Sequence, residues 1–135
     1  IFINHDWYGF DDAIFSAVIL TKIIADLNIS SAELVKKIPV THTTPELNLN
    51  VVDEEKFNMV ENFKSKMQFP KADINTIDGV RVSIGDSWGL MRASNTSPKL
   101  VLRFEGDTEE NLNQIKSMFE DNFVRIFPDI DLEYD

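Results

Sequence analysis

The segment Arg92-Ala93-Ser94-Asn95-Thr96-Ser97-Pro98-Lys99 collects the residue types that hold an anion. Arginine presents a planar fork of N–H donors with a permanent charge. The hydroxyls of Ser94 and Thr96, the Asn95 amide and exposed turn amides can serve the remaining oxygens of a phosphate. Pro98 holds the turn. Residues 87–104 contain three basic side chains, Arg92, Lys99 and Arg103, and no Asp or Glu. The whole chain has 13 basic and 23 acidic residues and a net charge of −10. A basic island kept on so acidic a chain suits a phosphate dianion. A polar hairpin that merely contains Arg is the competing reading, and on residue types alone the two stand level.

Other clusters carry less. Asp11 and Asp12, with His5 and Asp6 nearby, invite a metal reading, but helix capping accounts for the aspartates. The acids at 129, 131, 133 and 135 lack the glycine and spacing of a calcium loop and read as a solvated edge. His5 and His42 have no matching base, nucleophile or ligand set, so surface and linker roles are expected. The chain has no cysteine, which excludes disulfides and thiolate metal sites and fits a reducing cytoplasm.

The elements that must position the loop follow from periodicity. Apolar runs at 88–91 and 100–104 read as strands on either side of it, with Trp88 expected in the core. Val80, Val82 and Ile84 alternate as a further strand, bounded by turns at Asp78-Gly79 and Gly85-Asp86, and Ile74 and Ile77 suggest a short one before it. Residues 46–52 alternate too, with Leu47, Leu49 and Val51 on one face. Asp53 is expected to cap a helix that buries Phe57, Val60, Phe63 and Met67 and stops at Phe69-Pro70. Thr108 caps a last helix carrying Leu112, Ile115, Phe119, Phe123 and Ile126, and a short edge strand is expected in the acidic tail. The order strand, helix, antiparallel strands, helix predicts an α+β fold, an antiparallel sheet with two helices on one face.

Residues 1–38 do not share that pattern. Asp11 and Asp12 cap a helix to about Asn28 that is apolar nearly all round, and such a helix has partners on several sides. Ser30-Ser31-Ala32-Glu33 is a capping box opening a short helix through Lys37. Pro39 ends it, and residues 39–45 read as an extended linker. The start, Ile-Phe-Ile without an initiator Met, reads as the interior of something longer.

At 135 residues the main pattern fills one ordinary domain, burying roughly two-thirds of the surface its unfolded form exposes. The acidic balance argues against nucleic acid and against an anionic membrane surface. No apolar run reaches the roughly 18 residues that a membrane span needs, and no signal peptide pattern is present.

Three segments carry a resemblance: Trp7-Tyr8-Gly9-Phe10-Asp11-Asp12-Ala13, Asp78-Gly79-Val80-Arg81-Val82, and Gly89-Leu90-Met91-Arg92-Ala93-Ser94-Asn95-Thr96-Ser97-Pro98. In order and spacing the chain resembles, over essentially its whole length, the bacterial phosphomannomutase/phosphoglucomutases of the α-D-phosphohexomutase superfamily. The Arg-x-Ser-Asn-Thr-x-Pro loop is the most specific part. Relatives acting on glucosamine phosphates usually have Gly where Asn95 stands, so Asn95 favours the mannose/glucose branch; Ser97 stands where Glu is frequent.

The resemblance implies a four-domain parent, an isomerase interconverting hexose 1-phosphate and hexose 6-phosphate through the 1,6-bisphosphate. It implies a phosphoserine in domain one, Mg²⁺ on an aspartate-rich loop in domain two, and a sugar-selecting Gly-Glu-x-Ser-Gly-His loop in domain three. Domain four, TATA-box-binding-protein-like in fold, holds the phosphate that is not reacting. On this reading residues 1–38 are the helical end of the α/β third domain, 39–45 a linker or hinge, and 46–135 domain four. No catalytic residue and no metal ligand lies in this stretch, which is expected to be inactive alone. The phosphate-binding residues carried over are Arg92, Ser94, Asn95, Thr96 and, on the outgoing strand, Arg103; Lys99 falls at a variable position. The implied partners are the phosphosugar and the upstream domains of the same chain, in the cytoplasm, with no nucleic acid and no membrane. A stand-alone non-catalytic binding or scaffolding module with the same fold is the alternative. The segment upstream of Ile1 separates the two readings.

Overall fold

Period-two alternation builds the sheet. In the computed structural model, which describes residues 3, 5 and 7–134, Val80–Ile84 (β4), Ser87–Ala93 (β5) and Lys99–Gly106 (β6) form a consecutive antiparallel set. Val80, Val82, Met91, Ala93, Leu100, Leu102 and Phe104 point to one face and are buried there. Asp73–Asn75 (β3) adds to β4. The opposite edge of β6 takes two short strands, His42–Thr43 (β1) against 105–106 and Leu47–Asn50 (β2) against 99–102. The six-stranded order is β1-β6-β5-β4-β3, with β2 also on β6. Between β1 and β2, Pro45 cannot donate to the ladder. Thr44 bridges the gap, its N–H donating to the Phe104 carbonyl at 3.0 Å and its Oγ1 accepting from the Phe104 N–H at 3.1 Å. The expected linker over 39–45 is therefore tied to the sheet from His42 onward.

Two helices cover the buried face. Glu109–Ile126 starts where Thr108 Oγ1 accepts from the Asn111 N–H at 3.1 Å, and Ile115, Phe119 and Phe123 are buried on its inner side. The other helix, Lys56–Lys66, departs from expectation. Its N-cap is Glu55, with no side-chain cap, because Asp53 is engaged elsewhere by the Lys56 ammonium at 2.6 Å. Its buried face is Lys56, Met59, Val60 and Phe63, while Phe57 is 53% exposed. With β1–β6 numbered as above and Ala13–Leu27 and Ser31–Val35 taken as α1 and α2, these two helices are α3 (Lys56–Lys66) and α4 (Glu109–Ile126).

Phe63, Phe69, Phe104 and Phe119 meet at the centre, with Phe69 and Phe119 ring centroids 4.9 Å apart. Asn122 ties α4 to the chain leaving α3: its Oδ1 accepts from the Gln68 N–H at 2.8 Å and its Nδ2 donates to the Gln68 and Met118 carbonyls. Two expectations are corrected here. Trp88 lies on the helix-free face, half-buried, with the Arg81 guanidinium 4.4 Å from its ring centroid. The tail forms no edge strand among the described residues. Ile130, Leu132 and Tyr134 pack against the core while Asp129, Asp131 and Glu133 face solvent; Asp135 lies outside the described residues.

The chain divides into two compact units, Ile1–Pro39 and Val40–Asp135. The first contains α1 and α2. Asp12 caps α1, its carboxylate accepting from the Phe15 N–H at 2.8 Å, and Asn28 closes the helix in the left-handed region. Ser30 and Glu33 complete the expected capping box on α2. The Ser30 N–H and hydroxyl donate to the Glu33 carboxylate and hold it below its usual pKa. No residue of α1 is buried; Ile14, Val18, Leu20, Ile23 and Leu27 are exposed. Asp6 and the opening Ile1-Phe2 lie outside the described residues.

Candidate functional site

Strand β5 delivers Arg92, and the alternation that buries Met91 and Ala93 puts the Arg92 side chain on the helix-free face. Register places Arg92 opposite Val101 and Leu90 opposite Arg103. Arg103 thus shares the helix-free face with Arg92, one diagonal step away across two strands. Arg81, opposite Leu90 on the other side, belongs to the same face. Three arginines therefore line the open side of the sheet, and residue types and spacing had singled out only two of them.

Residues 94–98 join β5 to β6. The Ser94 N–H donates to the Lys99 carbonyl at 3.0 Å, closing the loop at its base. The Lys99 N–H donates to the Ser97 carbonyl at 2.9 Å, a three-residue turn centred on Pro98. Ser94 is buried, with its Oγ accepting a long bond from the Thr96 N–H at 3.4 Å, while Asn95 and Thr96 are exposed. The amides of Asn95 and Ser97 have no acceptor among the described residues. N–H groups without protein acceptors, in the loop that directly follows the Arg92 strand, can donate to an anion.

Arg92 is held loosely. Its Nη1 lies 3.9 Å from Asp78 Oδ2, too long for a strong ion pair, and its side chain remains 35% exposed. Asp78 stands on the β3–β4 turn, which reaches Arg92 because the next residue is glycine. Gly79 has φ +75°, and a Cβ there would sit 2.3 Å from the Met91 carbonyl oxygen and 2.6 Å from Arg92 Cβ. The turn thus packs directly on the backbone that carries the guanidinium.

One contributor is not evident from residue types. Lys56 is 4% exposed, and its ammonium donates to the Ser97 carbonyl at 3.1 Å. A signal was present: Lys56 extends the Val60, Phe63, Met67 spacing back by one turn, with a carboxylate three residues earlier. No three His, Cys, Asp or Glu side chains come together as a metal set among the described residues. Among them, too, no helix is long and apolar enough to cross a membrane.

A family profile described as "Phosphoglucomutase/phosphomannomutase, C-terminal domain" matches residues 46–122, more than half of the chain. The chain belongs to this family. It is 42% identical over 134 residues to the phosphomannomutase/phosphoglucomutase of Pseudomonas putida, covering 99% of this chain and 29% of that protein. The namesake from Pseudomonas aeruginosa is 44% identical over 119 residues, covering 88% of this chain and 26% of its own length. A crystal structure of a phosphoglucomutase/phosphomannomutase family protein from Burkholderia thailandensis superposes with a TM-score of 0.81 at 34% identity, over 96% of this chain and 27% of that one. The chain thus spans about 26–29% of the length of these relatives, and its residues 46–122 match the C-terminal domain of the mutase family.

Proposed function

We propose that residues 46–135 form the phosphate-gripping domain of a phosphohexomutase that interconverts the 1- and 6-phosphates of glucose or mannose. The observation that carries this reading is the 92–99 loop, with Arg92 and acceptor-free amides, anchored at both ends in the sheet of a chain matched by the mutase C-terminal domain. Arg92, Ser94, Asn95 and Thr96 bind the phosphate that is not reacting, and Arg103 adds charge from the neighbouring strand. Phosphoryl transfer depends chiefly on positioning and charge stabilisation. A clamp with no preference for either end of a hexose 1,6-bisphosphate presents each phosphate in turn to chemistry performed by other domains. The Mg²⁺ of such an enzyme has no candidate ligand set among the described residues here, so no step on this chain runs through it.

Residues 1–38 are read as the end of the preceding domain and 39–45 as the hinge, its freedom narrowed to 39–41 by the bonding of His42–Thr44 to β6. A hinge there lets the clamp close over a bound sugar and exclude water. The test is Arg92→Ala in the full-length enzyme. Losing charge-assisted bonds worth about 1.5–3 kcal/mol lowers kcat/KM roughly 10- to 150-fold. A variant as active as wild type removes Arg92 from the site.

A further inference from the structure

Lys56 is the most deeply buried charge in the chain's described core and has no part in the phosphate reading. Its ammonium has two oxygen partners, Asp53 Oδ1 at 2.6 Å and the Ser97 carbonyl at 3.1 Å, and lies 5.3 Å from the Phe57 ring centroid. The first partner is three residues away; the second is 41 residues away, inside the anion loop. The next carbonyl is tied as well, since Pro98 accepts from the Val51 N–H at 3.0 Å. Two consecutive loop carbonyls are therefore fixed to the 51–56 segment. The peptide units before them carry the amides of Asn95 and Ser97, which have no acceptor among the described residues, and of Thr96, whose only bond is the long one to Ser94 Oγ.

Burying an ammonium is costly unless its donors are met. If the loop moved off α3, Lys56 would lose one of its two oxygen acceptors, so the charge resists loop departure. Asp53 offsets its field, so Lys56 acts on the anion by fixing loop geometry and not by direct attraction.

We propose that Lys56 is a positioning residue for the phosphate loop: its ammonium, backed by Asp53, clamps the Ser97 carbonyl and presets the 94–97 donors. The effect on binding rests on the phosphate reading above; the effect on loop geometry does not.

The test uses the ¹⁵N-labelled chain as wild type, Lys56→Met and Val60→Ala. Val60 is buried one turn along the same helix face but makes no bond to the loop, so its truncation controls for lost packing. Without ligand, the amide signals of Asn95, Thr96, Ser97 and Lys99 should shift and broaden in Lys56→Met and stay in place in Val60→Ala. With glucose 1-phosphate titrated in, Lys56→Met should bind at least about threefold more weakly through lost preorganisation, and Val60→Ala like wild type. A folded Lys56→Met whose loop signals overlay those of wild type overturns the proposal, as does equal loop disturbance by Val60→Ala. Should wild type itself show no response to glucose 1-phosphate, the phosphate reading falls and the ligand-free spectra alone decide for Lys56. If Lys56→Met does not fold, Asp53→Asn, at a mostly exposed carboxylate, takes its place. Smaller shifts at the Ser97 and Lys99 amides then support the clamp, and unmoved signals refute it.

Discussion

Gly79→Ala tests how closely the site depends on the approach of two backbones. Gly79 has φ +75°, a region that costs an L-residue roughly 1 kcal/mol. The added Cβ would also meet the Met91 carbonyl oxygen at 2.3 Å, Arg92 Cβ at 2.6 Å and Arg92 Cα at 2.8 Å. None of these is the free end of a flexible side chain. They belong to β5, which is hydrogen-bonded on both edges and has Met91 fully buried. The turn or the strand must therefore move by about 1 Å, with an overpacking cost of about 1–3 kcal/mol. The expected loss is about 2–4 kcal/mol, a large share of the roughly 5–15 kcal/mol typical of a domain. Gly85→Ala isolates the steric part, because Gly85 has φ +58° but a Cβ added there would meet nothing within 4 Å. Urea denaturation followed by circular dichroism should show Gly79→Ala destabilised by at least about 1 kcal/mol more than Gly85→Ala. Since the strain falls on the Arg92 backbone, the surviving folded fraction should also bind phosphate less well. Equal destabilisation of the two variants would refute the close-packing argument.

Two further outcomes follow from the packing around α4. Asn122→Leu strands the Gln68 N–H and removes the bonds to the Gln68 and Met118 carbonyls, so it should cost about 2–3 kcal/mol in chemical denaturation; a loss below about 0.5 kcal/mol would contradict that role. Burial, followed by the Glu120 charge and its hydrogen bond, raises the Tyr134 phenol above its ordinary pKa of about 10. The folded state thus favours the neutral phenol. Its contribution is intact below about pH 10 and is lost above that, as the unfolded chain ionises first. Thermal melts between about pH 9 and 11 should fall more steeply for wild type than for Tyr134→Phe, and parallel slopes would oppose this.

What was legible in the sequence was local. The alternation of Val80, Val82 and Ile84 and the three-and-four spacing of Leu112, Ile115, Phe119, Phe123 and Ile126 identified β4 and α4 because each has one buried side. The loop stood out because its donors lie within eight consecutive residues. What was hidden depended on pairing across the chain. Lys56 and not Phe57 faces inward because an acceptor 41 residues away meets its ammonium, which residue type alone cannot reveal. Trp88 leaves the core because the phase of β5 is set by Met91 and Ala93, and Arg81 then covers its ring. The tail reads as acidic, yet Ile130, Leu132 and Tyr134 alternate with its acids and find the core edge. The approach of the Asp78-Gly79 turn to Arg92 emerges only once Val80 is paired with Met91.

Titrating glucose 1-phosphate into the ¹⁵N-labelled chain decides whether the 92–99 loop grips a sugar phosphate. Affinity should be weak, on the order of millimolar, because one clamp alone must offset the cost of association. Saturable shifts confined to the amides of residues 92–97, of Lys99 and of the neighbouring strand at Arg103 are the expected result. Shifts that spread evenly over the surface, or that leave the Asn95, Thr96 and Ser97 amides in place at tens of millimolar ligand, would contradict it.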